Sequence, residues 1–167
     1  PNANEEVVTE EEIRMMVDEG EEKGVIEESQ KEMINNIFDF DDVPVTDVMT
    51  HRTEIEAVEI TDKIEDVVKL SCENGYSRIP VYAGNPDRII GTLRIRTFLT
   101  EYRRNPHVKL RSLLSVPRFV REDAKIDNIL TDMSQHKHHI ALVRDEKRKI
   151  LGLVTMEDIL EELDGEI

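Results

Sequence analysis

The fold of this chain is decided by the stretch Ile150-Leu151-Gly152-Leu153-Val154-Thr155-Met156-Glu157-Asp158-Ile159-Leu160. Its first residues are apolar and rich in branched side chains, which is typical of a buried strand. Thr155 then stands where it can cap a helix, with the acidic pair Glu157 and Asp158 in the first turn. The stretch therefore predicts a strand that runs directly into a helix.

A strand that meets a helix N-terminus admits two interpretations. In the first, Thr155 and the carboxylates only cap the helix, as in many sequences of this pattern. In the second, the junction is a ligand site, because it offers backbone N–H groups, a hydroxyl and the Asp158 carboxylate. A carboxylate can accept hydrogen bonds from both hydroxyls of a ribose, and the helix N-terminus favours phosphate. The stretch alone leaves both interpretations open.

Length and composition restrict the class of protein. The 167 residues suffice for one domain or two small ones, and no apolar run of 18 or more residues predicts a membrane span. The first residue is Pro1 and no signal-peptide pattern follows it, so we expect a segment of a longer protein. The one cysteine, Cys72, excludes an internal disulfide and suits a reducing compartment. Its apolar helical neighbours Ile64, Val67 and Val68 predict that it is a core residue.

The net charge of −15 is concentrated in the first quarter of the chain. Residues 1–42 hold 15 acidic and 3 basic residues, whereas residues 43–167 hold 22 acidic and 19 basic ones. Two short helical patterns with thin apolar stripes lie in the acidic quarter, and such stripes need a surface on the following domain or on a partner chain. Neither part has the basic face that nucleic acid requires, so we expect no nucleic-acid partner.

From Val45 onward the sequence repeats itself, which is its most informative feature. Both copies read strand, helix, strand, strand, helix, and Gly91 aligns with Gly152 at a shift of 61 residues. Units of roughly 60 residues are marginal alone, so we expect the copies to pack face to face and share a core. The helices of the repeat are expected to begin at Thr61 or Asp62, at about Thr97, at Asp123 and just after Thr155.

Three segments identify the repeat more closely: Val48-Met49-Thr50-His51-Arg52, Tyr76-Ser77-Arg78-Ile79-Pro80-Val81-Tyr82 and Gly152-Leu153-Val154-Thr155-Met156-Glu157-Asp158-Ile159-Leu160-Glu161-Glu162. Together they resemble a tandem CBS-domain pair (a Bateman module) over about residues 44–163, and within it the CorC/CNNM hemolysin-like branch. The resemblance implies an α/β (α+β) fold in which two CBS domains, each a small mixed sheet with two helices, form a pseudo-symmetric pair. It implies an acidic helical linker from a missing membrane domain at 1–43, CBS domain 1 at 44–104 and CBS domain 2 at 105–167.

The resemblance also implies a function and partners. In that branch a DUF21-type transmembrane domain precedes this segment, and a small CorC_HlyC domain commonly follows it. The chain would then be the regulatory piece, on the cytoplasmic side of the cell membrane, of a protein tied to Mg²⁺ and Co²⁺ transport. It would form a homodimer through its CBS domains.

Family members bind adenosine nucleotides in the cleft between the copies, in this branch typically ATP with Mg²⁺, with ADP and AMP as the other choices. The resemblance implies that Thr155 and Asp158 hold the ribose and that Glu157 lies at the same rim. Arg78 is a plausible phosphate partner because a guanidinium can pair two oxygens at once, and Arg52 is a weaker candidate. The implied nucleotide-binding residues are Thr50, Tyr76, Ser77, Arg78, Pro80, Thr155, Glu157 and Asp158.

The two copies are not equivalent. At the 61-residue shift Thr155 corresponds to Arg94 and Asp158 to Thr97, so the first copy lacks the implied ribose carboxylate. The second copy has His138 and His139 where the first has Ser77 and Arg78. We therefore expect one competent nucleotide site, built on the strand-to-helix junction of the second copy.

Other patterns favour simpler interpretations. His136, His138 and His139 form a cluster, but His138 and His139 point to opposite faces of a strand, so surface or interface histidines are favoured over a metal site. The acidic helices are interpreted as solvated faces, with a Mg²⁺ site as the alternative, and the sequence assigns no metal ligands because it does not show which oxygens converge. No catalytic motif is present, which predicts a binding module and not an enzyme. The alternative to a nucleotide sensor is a ligand-free dimerisation module of the same membrane protein.

Overall fold

The computed structural model of the chain describes residues 7–40, 42–73 and 75–164. The first six residues of the predicted linker and the last three of the predicted second domain lie outside these ranges. The described helices are α1 (Glu10–Glu22), α2 (Glu28–Phe40), α3 (Ile64–Glu73), α4 (Ile95–Arg104), α5 (Ile126–His136) and α6 (Met156–Asp164). The described strands are β1 (Thr50–His51), β2 (Val58–Glu59), β3 (Arg78–Ala83), β4 (Asn85–Arg94), β5 (Leu114–Ser115), β6 (Phe119–Arg121), β7 (Ile140–Arg144) and β8 (Ile150–Thr155).

The strands form two four-stranded mixed sheets, as predicted. One has the order β2-β3-β4-β5 and the other the order β1-β8-β7-β6. In each, a parallel pair (β2 with β3, β6 with β7) is followed by an antiparallel hairpin. Helices α3 and α4 belong to the first copy and α5 and α6 to the second, so the two-fold repeat in the sequence is a repeat in the fold.

Each sheet takes its outer antiparallel strand from outside its own repeat. β1 lies near the start of the first copy but pairs with β8 of the second, whereas β5 lies near the start of the second copy and pairs with β4 of the first. The aligned glycines explain how these short strands approach. A Cβ at Gly152 would clash with the Thr50 carbonyl oxygen, and one at Gly91 would lie 2.8 Å from the Leu114 Cβ. The exchange ties the two copies together through backbone hydrogen bonds.

Three apolar clusters hold the molecule together. One fills the second copy around Met133 and Ile159, and another fills the first copy around Ile79 and Phe98. The third lies between the copies and consists of the buried residues Ile89, Leu142 and Ile150, with Ile55, Tyr82, Phe119 and Leu153 packed against it. The expected shared core is therefore present, as a small cluster between two larger ones.

The acidic helices pair with each other and with the second copy. Arg14 of α1 forms an ion pair with Asp39 of α2 at 2.8 Å, and Lys31 of α2 forms one with Asp18 of α1 at 2.9 Å. Helix α2 packs against α6, and its last residue Phe40 is buried in the core of the second copy. The following domain thus buries Phe40, whereas Met33 and Ile37 of α2 stay exposed and α1 buries no residue within its described range.

Several sequence expectations are wrong in detail. Cys72 is exposed, and Ser71 takes the buried position one turn after Val67 on α3. α4 begins two residues before Thr97, and α3 and α5 begin after the polar residues expected to open them.

In the part of the chain that the structure describes, every helix is too short or too polar to cross a membrane.

Candidate functional site

The junction between β8 and α6 is held by a reciprocal pair of hydrogen bonds. The backbone N–H of Thr155 donates to Oδ2 of Asp158 at 3.1 Å, and the backbone N–H of Asp158 donates to the Thr155 hydroxyl at 3.1 Å. This is a capping box, in which each residue satisfies a backbone donor of the other. The predicted cap is confirmed, and it fixes the position of the Asp158 carboxylate.

This junction opens onto a cleft of about 240 Å³ between the two copies, which we call cleft 1. Its walls come from the segment around β1, from the start of β3 and from the β8–α6 junction. All eight residues assigned from the sequence lie in its lining, so the fold brings them together. The lining residues are Thr50, Glu54, Ile55, Glu56, Gly75, Tyr76, Ser77, Arg78, Pro80, His139, Ile140, Leu153, Thr155, Glu157 and Asp158.

The remaining lining residues escaped sequence reasoning. Ile55, Ile140 and Leu153 give the cleft apolar walls, as expected for a site that takes a flat organic group. Glu54 and Glu56 place carboxylates near the same mouth. One of the remaining lining residues, His139, could have been predicted from the sequence. At the 61-residue shift it corresponds to Arg78, which is one of the assigned residues.

Arg78 is the cation of cleft 1. Partial burial lowers the pKa of its guanidinium, and the nearby Arg94 lowers it further, whereas Glu157 acts in the opposite direction. A partly desolvated guanidinium beside a second one is poised to gain from an added anion. Glu157, at the rim, is its acidic neighbour.

Arg52, the weaker phosphate candidate, and His136 of the histidine cluster have other partners. The Arg52 guanidinium forms an ion pair with Asp87 and donates to the Ile150 carbonyl at 3.2 Å, and Arg52 does not line cleft 1. Nδ1 of His136 lies 3.2 Å from an oxygen of Asp132. Within the described ranges no group of three His, Cys, Asp or Glu residues could hold a metal ion.

The equivalent junction of the first copy has a different chemistry. Arg94 is the N-cap residue of α4, and within the described residues its side chain makes no capping hydrogen bond. Thr97 lies at the position where α6 has Asp158, as the sequence comparison indicates. Cleft 1 is therefore the cleft that combines a capped helix N-terminus, a carboxylate and a guanidinium.

Comparisons with known sequences identify the repeated unit. The chain matches the family model for the CBS domain twice, over residues 45–104 and 111–165. The UPF0053 protein YrkA of Bacillus subtilis (strain 168) is 36% identical in an alignment 164 residues long that covers 95% of this chain and 38% of that protein. A putative DUF21 domain-containing chloroplastic protein of Arabidopsis thaliana is 30% identical in an alignment 168 residues long that covers 98% of this chain and 25% of that protein. The chain thus spans well under half the length of these relatives.

Solved structures give the same assignment. The CBS domain of the bacterial CNNM/CorC family Mg²⁺ transporter, in complex with the inhibitor IGN95a, superposes with a TM-score of 0.87 at 35% identity over 95% of this chain and 99% of that one. The CBS domain of that family solved with ATP has a TM-score of 0.76 at 36% identity, over 83% and 99% of the two chains. A CBS-domain pair with bound AMP from Klebsiella pneumoniae has a TM-score of 0.62 at 32% identity, over 72% and 98%. The chain is a CBS-domain pair and belongs to the UPF0053/CorC/CNNM family.

Proposed function

We propose that this chain is the cytoplasmic regulatory module of a membrane protein that transports Mg²⁺ or Co²⁺, and that it binds an adenosine nucleotide in cleft 1. The observation that carries the proposal is the convergence of all eight assigned residues on one cleft between the copies. The ATP and AMP complexes of related CBS domains support the choice of nucleotide. The DUF21 relative supports a membrane domain outside this chain.

The cleft offers separate surfaces to the three parts of a nucleotide. In the proposed complex the Asp158 carboxylate and the Thr155 hydroxyl hold the ribose hydroxyls, at the N-terminus of α6. The apolar side chains of Ile55, Pro80 and Ile140 contact the adenine. Arg78 holds phosphate oxygens, with the remaining assigned residues Thr50, Tyr76, Ser77 and Glu157 around them.

Charge explains why Mg²⁺ accompanies the phosphates. The carboxylates Glu54, Glu56 and Glu157 line the same cleft as Arg78, so a free polyphosphate is repelled at the mouth. A divalent cation bound to the phosphates reduces that repulsion. A cavity of about 240 Å³ is below the common range of roughly 300–1,000 Å³ for ligand pockets. We therefore expect the nucleoside inside the cleft and the outer phosphates at its mouth.

Helix α6 connects the site to the acidic helices. Its first turn lines cleft 1 and its body packs against α2, which forms ion pairs with α1. If the nucleotide favours one arrangement of the pair over another, the difference in affinity shifts the equilibrium between them. In the proposed full-length protein α1 and α2 pass this shift towards the membrane domain.

The alternative is a CBS pair that binds nothing and only joins two copies of a transporter. Isothermal titration of the whole chain with ATP, ADP and AMP, each with and without Mg²⁺, separates the two. We expect heat with at least one nucleotide and tighter ATP binding with Mg²⁺. Absence of heat with all three contradicts the sensor function and favours the dimerisation module, which predicts a dimer in sedimentation without ligand.

We also propose a binding role without catalysis, since none of the described lining residues of cleft 1 is a lysine, the residue that commonly holds the phosphates in phosphoryl transfer. Incubation with ATP and Mg²⁺ should release phosphate at the rate of the buffer alone. Release above that background, abolished by Asp158→Asn, would show an enzyme.

A further inference from the structure

A second cleft, of about 280 Å³, lies on the other side of Arg78, and we call it cleft 2. It is the pseudo-symmetric counterpart of cleft 1, because it joins the β4–α4 junction of the first copy to the α5–β7 turn of the second. Its lining residues are Arg78, Thr92, Arg94, Ser115, Val116, Lys137, His138, His139 and Ile140.

Cleft 2 is positively charged in a strongly acidic chain. Arg78, Arg94 and Lys137 line it, and none of its described lining residues is acidic. These three cations also take no part in the ion pairs formed among the described residues, although the chain carries a net charge of −15. Cleft 1, by contrast, has four carboxylates in its lining. The linings of the two clefts therefore differ in charge, and cleft 2 is the one that favours a free anion.

Two of the cations face each other across a strand pair. Arg78 at the start of β3 and Arg94 at the end of β4 are direct partners in the antiparallel register. Like charges in that relationship destabilise a sheet unless a counter-charge lies between them. Burial and Arg94 lower the pKa of Arg78, and Glu157 in the lining of cleft 1 offsets this only in part. An anion held by both guanidiniums would turn this repulsion into an attraction.

Lys137 adds a third cation at a position where lysine is unfavourable. It ends α5 in the left-handed region, with φ of 56°, and its backbone N–H donates to the Met133 carbonyl. Glycine is the usual residue at this point of a helix C-terminus, since a Cβ is strained there. The chain instead has an ammonium-bearing residue there, in the lining of cleft 2.

The polar groups of the cleft complete a donor set. Thr92 and Ser115 are cross-strand partners in β4 and β5, and both line cleft 2. Guanidinium, ammonium and hydroxyl groups are the donors that bind tetrahedral oxyanions. A nucleoside is disfavoured, because Arg94 and Thr97 replace the ribose-binding pair of cleft 1.

We propose that cleft 2 is a separate binding site for a multiply charged oxyanion of the phosphate class, held between Arg78, Arg94 and Lys137. This site does not depend on the nucleotide function proposed for cleft 1. Arg78 lines both clefts, so an anion in cleft 2 and the phosphates of a nucleotide in cleft 1 compete for one guanidinium. Occupancy of the two sites is therefore expected to be negatively coupled.

The test is isothermal titration of the whole chain with pyrophosphate, and with orthophosphate as the weaker probe. Two variants remove cations that line only cleft 2: Arg94→Gln, and Lys137→Gly, which also relieves the left-handed strain and so protects folding. The matched controls are Arg88→Gln, which removes a guanidinium elsewhere on β4, and Asp158→Asn, which changes only cleft 1.

We expect pyrophosphate affinity to fall at least about tenfold in both test variants and to stay within about twofold in both controls. Raising the salt concentration should weaken binding to the wild type more than to either test variant.

A second arm separates a free anion from the terminal phosphates of a nucleotide. Pyrophosphate is titrated into chain saturated with adenosine, which carries no phosphate. If binding persists and remains sensitive to Arg94→Gln, the anion has its own site in cleft 2. No pyrophosphate binding, equal binding in all variants, or displacement by adenosine would overturn the proposal. Asp158→Asn is expected to weaken the binding of nucleotides and not that of pyrophosphate. If cleft 2 is not a site, the specific binding of pyrophosphate is lost, whereas if cleft 1 is not a site, the binding of nucleotides is lost.

Discussion

Thr155 and Asp158 each cap a backbone donor of the other, at 3.1 Å in both directions. The same two residues line cleft 1, so the helix cap and the proposed ribose ligand are one structure. A carboxylate has about four lone-pair sites, and accepting one backbone N–H leaves capacity for ligand hydroxyls. The two interpretations of the opening stretch are therefore compatible, because the cap is what orients the carboxylate.

The first prediction separates capping from charge at this junction. Asp158→Asn keeps an oxygen that can accept from the Thr155 N–H, and it loses only the favourable charge in the first turn, worth about 0.3–1 kcal/mol. Asp158→Ala and Thr155→Ala each remove a capping hydrogen bond and should cost about 0.5–2 kcal/mol of unfolding free energy. Urea denaturation measures all three. An Asp158→Asn variant as unstable as Asp158→Ala would mean that the carboxylate is mainly structural.

The second prediction concerns the close approach of β1 to β8. Gly152→Ala places a Cβ against the Thr50 carbonyl and 2.6 Å from the Met49 sulfur, so one strand has to move. We expect a loss of about 1–3 kcal/mol, as for other overpacked sites. Gly75→Ala is the control, since its Cβ meets no atom within 4 Å. Equal stability of the two variants in thermal unfolding would show that β1 is not held at this distance.

The third prediction tests a polar network that joins the copies. Oδ1 of Asp87, in the first copy, accepts from the Ile150 N–H of the second copy at 3.0 Å and also pairs with Arg52. Asp87→Ala removes the acceptor of the N–H of Ile150, a buried residue, and the partner of the Arg52 guanidinium. We expect a loss of about 1–3 kcal/mol of unfolding free energy. Asp123→Ala breaks only the exposed pair with Arg121 and should change stability by less than about 0.5 kcal/mol. Equal losses in chemical denaturation would count against the network.

The fourth prediction is a pH dependence at Asp132. Its hydrogen bonds with Arg118 hold the pKa of the Asp132 carboxyl below its usual range. A carboxyl whose pKa is lower in the folded than in the unfolded state contributes stability above its unfolded pKa, about 3.9, and loses it as the pH falls through the folded value. Asp132→Asn should therefore flatten the acid limb of the stability curve, measured by urea denaturation between pH 6 and pH 2.

The control for this prediction is the Arg118→Gln background. There the Asp132 carboxyl has lost the main cause of its lowered pKa, so adding Asp132→Asn should change the acid limb much less. A full additional effect in that background would show that Arg118 is not the cause.

The features that the sequence predicted share one property: each depends on local patterns or on the repeat. The β8–α6 junction and its cap follow from residues adjacent in the chain, and the order of strands and helices in the two copies follows from the repeat. The convergence of Thr50 with Asp158 in one cleft came only through the family resemblance, because nothing local links residues that far apart in the chain.

Other features depend on tertiary contacts and could not be predicted locally. The strands β1 and β5 are two residues long, too short for a periodic signal, and their exchange between sheets is set by Gly152 and Gly91. Cys72 continues an apolar stripe, which predicts a core position, but α3 turns Ser71 inward, where its hydroxyl donates to the Val67 carbonyl at 2.7 Å. A satisfied hydroxyl can be buried as readily as a thiol.

The central claim, that cleft 1 binds an adenosine nucleotide through Asp158, is tested most directly by isothermal titration of three forms of the chain with ATP and Mg²⁺. Wild type and Asp123→Asn should bind equally. Asp158→Asn, which keeps the cap but replaces the charged acceptor, should bind at least about tenfold more weakly, since hydrogen bonds to charged groups contribute about 1.5–3 kcal/mol. No heat with the wild type, or the same affinity in Asp158→Asn, would contradict the account.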